Sequence, residues 1–199
     1  MTMKLWYSPA SPFVRKVMVF AHETGLADSL VLVPGDVWAA DPEINKENPL
    51  GKVPALTSAD GVFAGSYLCC EYLDSLHAGP RLIPSEPRQR WPLLQMHAFA
   101  DGIIEAAVAS VVEQLRRPKE FVYQGMLDRQ RAKIERTLDT IGSMALPQAD
   151  LAGVTLGCAL GYLDFRLPQL QWRNGRTALS QWYEAFSARK SMQATVPHT

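Results

Sequence analysis

Two serines at the start of an expected helix are the first residues that could do chemistry. Ser8-Pro9-Ala10-Ser11-Pro12 reads as a turn delivering a helix, with Ser11 at the N-cap and Pro12 at the first helical position. A helix N-terminus presents unpaired N–H groups and the positive end of the dipole, so it favours a nearby anion. A serine hydroxyl there can donate to a thiolate and lower the thiol's pKa, which increases the nucleophilic fraction. Ser11 would serve equally well as a plain cap, and the residue types leave both roles open.

Asn48-Pro49-Leu50-Gly51-Lys52-Val53-Pro54-Ala55-Leu56 is the second such stretch. Proline opening a short strand is an unusual ladder residue. A cis Val53–Pro54 bond would turn the Val53 backbone outward, where its N–H and C=O could pair with an extended peptide as an added strand. Lys52 could meet a carboxylate. The alternative is an ordinary turn and edge strand. In the third stretch, Gly65-Ser66, the serine offers a hydroxyl and an N–H at another helix start, again suited to a carboxylate or to simple capping.

These groups need elements to position them. Residues 4–7 predict a strand, after which Val14, Val17, Met18 and Ala21 recur at helical spacing until Gly25 stops the helix. Residues 29–33 predict a second strand, and a short helical turn is expected near 41–46. Two short strands, 53–56 and 61–63, flank a turn at 58–61. A helix from Ser66 carries Cys69, Tyr72, Leu73 and Leu76 on one face and ends at Gly79-Pro80. The order is β-α-β, loop, β-β-α.

Residues 80–87 contain Pro80, Pro84 and Pro87 and read as a linker. Helices are expected at 88–117 and at 119–145, where Leu127, Ile134, Leu138, Ile141 and Ala145 share a side. Another starts after the N-cap candidate Asp150 and is apolar almost all round, and a last one covers 177–188. Gly153, Gly157 and Gly161 fall four apart, which predicts a smooth face for a neighbouring helix. The apolar stretch is too short for a membrane dimerisation motif. The expected division is 1–79, a linker at 80–87, and an all-helical domain at 88–199.

Composition excludes several classes. In 199 residues, 20 Lys plus Arg balance 20 Asp plus Glu, so no basic excess points to nucleic acid and no acidic tail is present. The amino terminus enters a strand pattern directly, without a signal-peptide core, and no apolar run reaches the ~20 residues of a membrane span. Three cysteines without C-x-x-C or metal-ligand spacing fit a reducing, cytoplasmic setting and no metal. There is no G-x-S-x-G and no P-loop. His22, His77, His97 and His198 have no evident nucleophile or metal partner, and His22 and His77 read as helix-end or surface residues.

Taken in order, YSPASPFVRKV (7–17), NPLGKVPAL (48–56), Gly65-Ser66 and CALGYLDFR (158–166) resemble the glutathione transferase family over nearly the whole chain. ADGIIEA, which contains Asp101, is similar to a bacterial, YibF-like subgroup. The resemblance implies an α/β thioredoxin-like N-terminal domain plus an all-α C-terminal domain, and a homodimer. It also implies glutathione as co-substrate and conjugation of its thiolate to a small hydrophobic electrophile, a detoxification chemistry. Ser11, or alternatively Ser8, would steady the thiolate, with Ser11 preferred for its place at the helix start. Val53 would pair with the cysteinyl backbone beside cis Pro54. Lys52 would approach the glycyl carboxylate and Ser66 the γ-glutamyl carboxylate. Phe13 and Gly65 would lie along the tripeptide, and Asp101 would reach the glutathione of the partner subunit. A non-catalytic binding protein and a glutathione-dependent disulfide or peroxide reductase on the same fold are the alternatives.

The sequence also departs from the family's pattern. Gly65 stands where the family commonly has Glu or Asp, which predicts a weaker hold on the γ-glutamyl ammonium. Gly153 stands where the family has an Asp, so Asp150 caps its helix without a reciprocal partner.

Overall fold

The computed structural model describes residues 2–39 and 43–199. They form two compact units: residues up to Pro84 together with Lys190–Thr199, and Ser85–Arg189. The last ten residues, expected in the helical domain, therefore belong with the first unit.

In that unit, β1 (Met3–Tyr7) leads into α1 (Pro12–Glu23) and then β2 (Leu30–Pro34). Parallel neighbours require a crossover, and α1 provides it, so β2 runs parallel to β1 with Leu5 opposite Leu32. Then β3 (Ala55–Ser58) pairs antiparallel with β1 and forms a hairpin with β4 (Gly61–Ala64), giving the sheet order β2-β1-β3-β4. This mixed sheet and α2 (Ser66–Ser75) complete the thioredoxin-like βαβ–ββα arrangement.

Alternation along β1 divides the core. Met3 and Leu5 are buried on one face, while Trp6 packs on the other with Ile44 and Ala55, flanked by Val33, Val37 and Val53. Helix α1 buries Val14, Val17, Phe20 and Ala21 and packs on α2, which buries Cys69, Cys70 and Leu73. Each large side chain so buried contributes about 1.5–3 kcal/mol.

The expected turn near 41–46 is a 3-10 turn at Glu43–Lys46, and its first two residues, Asp41 and Pro42, lie outside the described residues. The third strand starts at Ala55, two residues later than expected, because Val53 and Pro54 are taken up by the preceding loop. Helix α2 ends at Ser75, short of Gly79-Pro80. The buried Asp74 carboxylate accepts from the N–H groups of Leu82 (2.9 Å) and Ile83 (3.3 Å), drawing the next segment back against the helix.

The second unit is helical throughout: α3 (Pro87–Arg116), α4 (Gln124–Gly142), α5 (Leu151–Arg166) and α6 (Thr177–Ser187). Helix α5 is buried from Leu151 to Leu163 and packs on α3, where His97 Nδ1 meets Thr155 Oγ1 at 2.9 Å. His97 is thus a satisfied core residue. Helix α4 is shorter at both ends than the sequence predicts. After Pro118 the chain makes a 3-10 turn, and Glu113 accepts from the Tyr123 N–H at 3.0 Å, holding the chain extended until Gln124. Ala145 lies beyond the helix end, while Ile134, Leu138 and Ile141 are buried as expected.

The first of the three spaced glycines in α5, Gly153, is approached closely by its neighbours. A Cβ on Gly153 would come 1.8 Å from the Gln148 carbonyl oxygen and 3.2 Å from Phe186 Cε2. The close approach is thus chiefly to backbone of the loop before α5, and only secondarily to α6.

The short α7 (Lys190–Gln193) returns the chain to the first unit. There the Arg15 Nη2 donates to the Met192 carbonyl at 3.2 Å, and α7 packs on α1.

Candidate active site

Ser11 caps α1 as expected: its Oγ accepts from the Val14 N–H at 3.3 Å, and its own N–H donates to the Ser8 carbonyl at 3.1 Å. As an acceptor from Val14, the Ser11 hydroxyl keeps its hydrogen for another partner. The first turn of α1 carries no acidic residue, so the positive helix end stays uncompensated. The Ser8 hydroxyl makes no hydrogen bond among the described residues.

Both serines open onto one cleft of about 180 Å³. Tyr7 and Arg15 also line it, as do Thr195 and His198 of the C-terminal segment. Burial raises the Tyr7 hydroxyl above its usual range, so it is protonated at neutral pH and can donate. The sequence assigns no role to Tyr7, Arg15 or Thr195, and His198, which reads there as a histidine without an evident partner, lines the cleft. Ser11, Arg15 and Met18 at i, i+4 and i+7 are the signal that could have found this face of α1.

The Val53–Pro54 bond is cis. The loop before it is pinned by the buried Asn48, whose Nδ2 donates to the Lys52 carbonyl at 2.7 Å and whose Oδ1 accepts from the Leu50 N–H at 3.1 Å. Val53 belongs to no strand, and its N–H and C=O make no backbone bond among the described residues. Both remain available to an extended ligand. Lys52 is exposed and forms no ion pair among the described residues.

Ser66 is 7% exposed at the first position of α2, and its hydroxyl has no partner among the described residues. Before it, Gly65 adopts φ +91°, ψ 141°, and its N–H donates to the Pro54 carbonyl at 3.2 Å. Residues with a Cβ rarely adopt that conformation, so on this backbone glycine serves the link between Pro54 and α2. Gly65→Ala is expected to lower stability by about 1–3 kcal/mol, since the added Cβ meets nothing and the cost is conformational. Urea unfolding measures it, and an unchanged midpoint contradicts it.

Phe13 is half-buried in α1 with the Lys16 ammonium 5.8 Å from its ring centroid, and it does not line the cleft. Asp101 is half-buried on α3 in the second unit. Cys69, Cys70 and Cys158 are buried and outside any disulfide among the described residues, and burial pushes the Cys69 thiol up to about 12, too high for a nucleophile. Among the described residues, no group of three His, Cys, Asp or Glu could hold a metal ion, and no helix is long and apolar enough to cross a membrane.

A thioredoxin-like unit with a cis proline before its third strand, together with an all-helical unit, defines the fold class of the glutathione transferases. The glutathione S-transferase N-terminal domain model matches residues 5–81, and the C-terminal domain model matches residues 124–185. The uncharacterized GST-like protein YibF of Escherichia coli K12 is 34% identical, covering 98% of both chains. A glutathione transferase family member from Pseudomonas fluorescens Pf-5, solved with bound glutathione, is 41% identical with a TM-score of 0.95 over the whole of both chains. A second structure of a family member from that organism, at 41% identity and TM-score 0.89, covers 98% of this chain and 100% of its own and holds S-(propanoic acid)-glutathione. This chain belongs to the glutathione S-transferase family.

Proposed function

We propose that this protein is a glutathione transferase that joins the thiolate of glutathione to a small electrophile. The observation that carries the reading is hydrogen-bonding capacity left unspent at three points of the first unit: the Ser11 hydroxyl hydrogen, the Val53 peptide groups and the Ser66 hydroxyl. The tripeptide lies along Val53 as an added strand, with its γ-glutamyl carboxylate at Ser66 and the α2 start. Its glycyl carboxylate approaches Lys52, and its sulfur meets Ser11. Phe13 and Gly65 flank the peptide, and Asp101 reaches the glutathione of the partner subunit in a homodimer. Glutathione bound in the Pseudomonas fluorescens relative supports this reading. Exposed Leu50, Val62 and Leu68 on the first unit are apolar surface that a partner subunit would cover. Three cysteines with no disulfide among the described residues suit the cytoplasm.

Catalysis here is thiolate stabilisation and proximity, and serine forms no covalent intermediate. Glutathione at 100 times its dissociation constant is expected to add about 2.7 kcal/mol of stability. A thermal-shift titration with millimolar glutathione reads this directly. Absence of any shift overturns the proposal in favour of an interaction protein on the same fold. Product analysis separates conjugation from reduction: a thioether of glutathione is expected, and oxidised glutathione alone would assign the protein to disulfide or peroxide reduction.

A further inference from the structure

The cleft beside Ser8 and Ser11 excludes the residues proposed to hold the tripeptide's backbone and carboxylates. Lys52, Val53, Pro54 and Ser66 do not line it, so it is the space next to the sulfur that the peptide backbone leaves free. Its wall carries Arg15 and no Asp or Glu. Arg15 is 7% exposed, forms no ion pair among the described residues, and spends Nη2 on the neutral Met192 carbonyl, while its buried Nε has no partner. A guanidinium taken out of water without a counter-charge is costly, and an anion in the adjoining space offsets that cost. Tyr7 lines the same cleft, and its protonated hydroxyl is a neutral donor.

Resting on the glutathione-transferase reading, we propose that the electrophile is a short molecule carrying a carboxylate, and that Arg15 holds this carboxylate inside the cleft. The thiol proton of glutathione leaves to solvent, and the sulfur forms a bond to the electrophilic carbon. The displaced electron pair departs with a leaving group. In an unsaturated acid it moves instead to the carbon beside the carboxylate, which then takes a proton from water. In that second case charge builds toward the carboxylate in the transition state, where the guanidinium stabilises it most.

The test compares two thioethers that differ only in charge, S-(2-carboxyethyl)glutathione and S-(2-carbamoylethyl)glutathione, titrated by calorimetry into the full-length protein. The carboxylate is expected to bind about 10-fold more tightly, as for one hydrogen bond to a charged group. In Arg15→Gln this preference is expected to vanish while affinity for glutathione itself is retained. Equal binding of the two thioethers to the native protein overturns the proposal and leaves the glutathione reading standing. That outcome also covers the case in which Arg15 serves only the thiolate, which neither thioether possesses. Failure of glutathione and both thioethers to bind overturns the glutathione reading itself. A preference that persists in folded Arg15→Gln removes Arg15 from the role. If Arg15→Gln does not fold, the native comparison decides alone, and Arg15→Lys, which keeps the charge, is expected to retain part of the preference.

Discussion

Gly153→Ala is expected to destabilise the second unit by about 3 kcal/mol or more, despite replacing glycine with the best helix former. In an unobstructed helix interior the exchange stabilises by about 1 kcal/mol. Here the new Cβ would lie 1.8 Å from the Gln148 carbonyl oxygen and 3.0 Å from its carbon. Relief by moving the loop is blocked. Trp182 Nε1 donates to the Pro147 carbonyl at 2.8 Å, and the Trp182 ring stacks on Phe186 at 4.7 Å between centroids. Phe186 itself comes within 3.2 Å of the new atom. Moving α5 is no easier, because it is buried from Leu151 to Leu163 and its Gly153 N–H is held by Asp150 Oδ1 at 2.9 Å. Gly102→Ala in α3 provides the contrast. Nothing lies within 4 Å of that Cβ, so the substitution is expected to be neutral or stabilising. Urea unfolding of both variants checks the pair, and a Gly153→Ala midpoint at or above the native one contradicts the packing argument. The same contact explains why no acidic side chain completes a capping box with Asp150: the position has no room for one.

What could be read in the sequence was local. Ser11-Pro12 and Gly25 mark the ends of α1 because capping and positive φ, here +72° at Gly25, are properties of a few adjacent residues. Residues 4–7 predict β1, and the run of apolar residues after Asp150 predicts a buried helix, because burial leaves a pattern that tertiary context does not erase. The parts of the site that were not legible depend on distance along the chain. Arg15 reads as one of several basic residues until Met192, 177 positions away, accepts from it. Helix α7 is four residues long, too short to show any periodicity, so the return of the chain to the first unit left no signal. Gly65 shows the converse. Compared with the family it reads as a lost carboxylate, whereas its backbone torsions make glycine the residue suited to this turn.

Ser11→Ala is expected to lower kcat/KM for conjugation about 100-fold, as loss of one donor to a developing or resident anion does. Stability is expected to fall by only about 1 kcal/mol, the usual consequence of losing an N-cap. The two effects separate because the hydroxyl does two things at once. Its oxygen accepts from the Val14 N–H, which leaves its hydrogen for a partner in the cleft that Ser11 lines. Ser8 faces the same cleft with a hydroxyl that has no partner among the described residues, so Ser8→Ala is the necessary parallel variant. If Ser8→Ala abolishes turnover and Ser11→Ala leaves it intact, the roles are reversed. A pH profile distinguishes loss of thiolate stabilisation from loosening of the helix. Removing the donor raises the pKa of the bound thiol, so the deficit is largest at low pH. It narrows as pH climbs past the ordinary thiol value of about 8.5, where the thiolate forms without help. A loosened helix start would depress turnover by the same factor at every pH, so a flat ratio between variant and native protein removes Ser11 from the chemistry and leaves it as a cap.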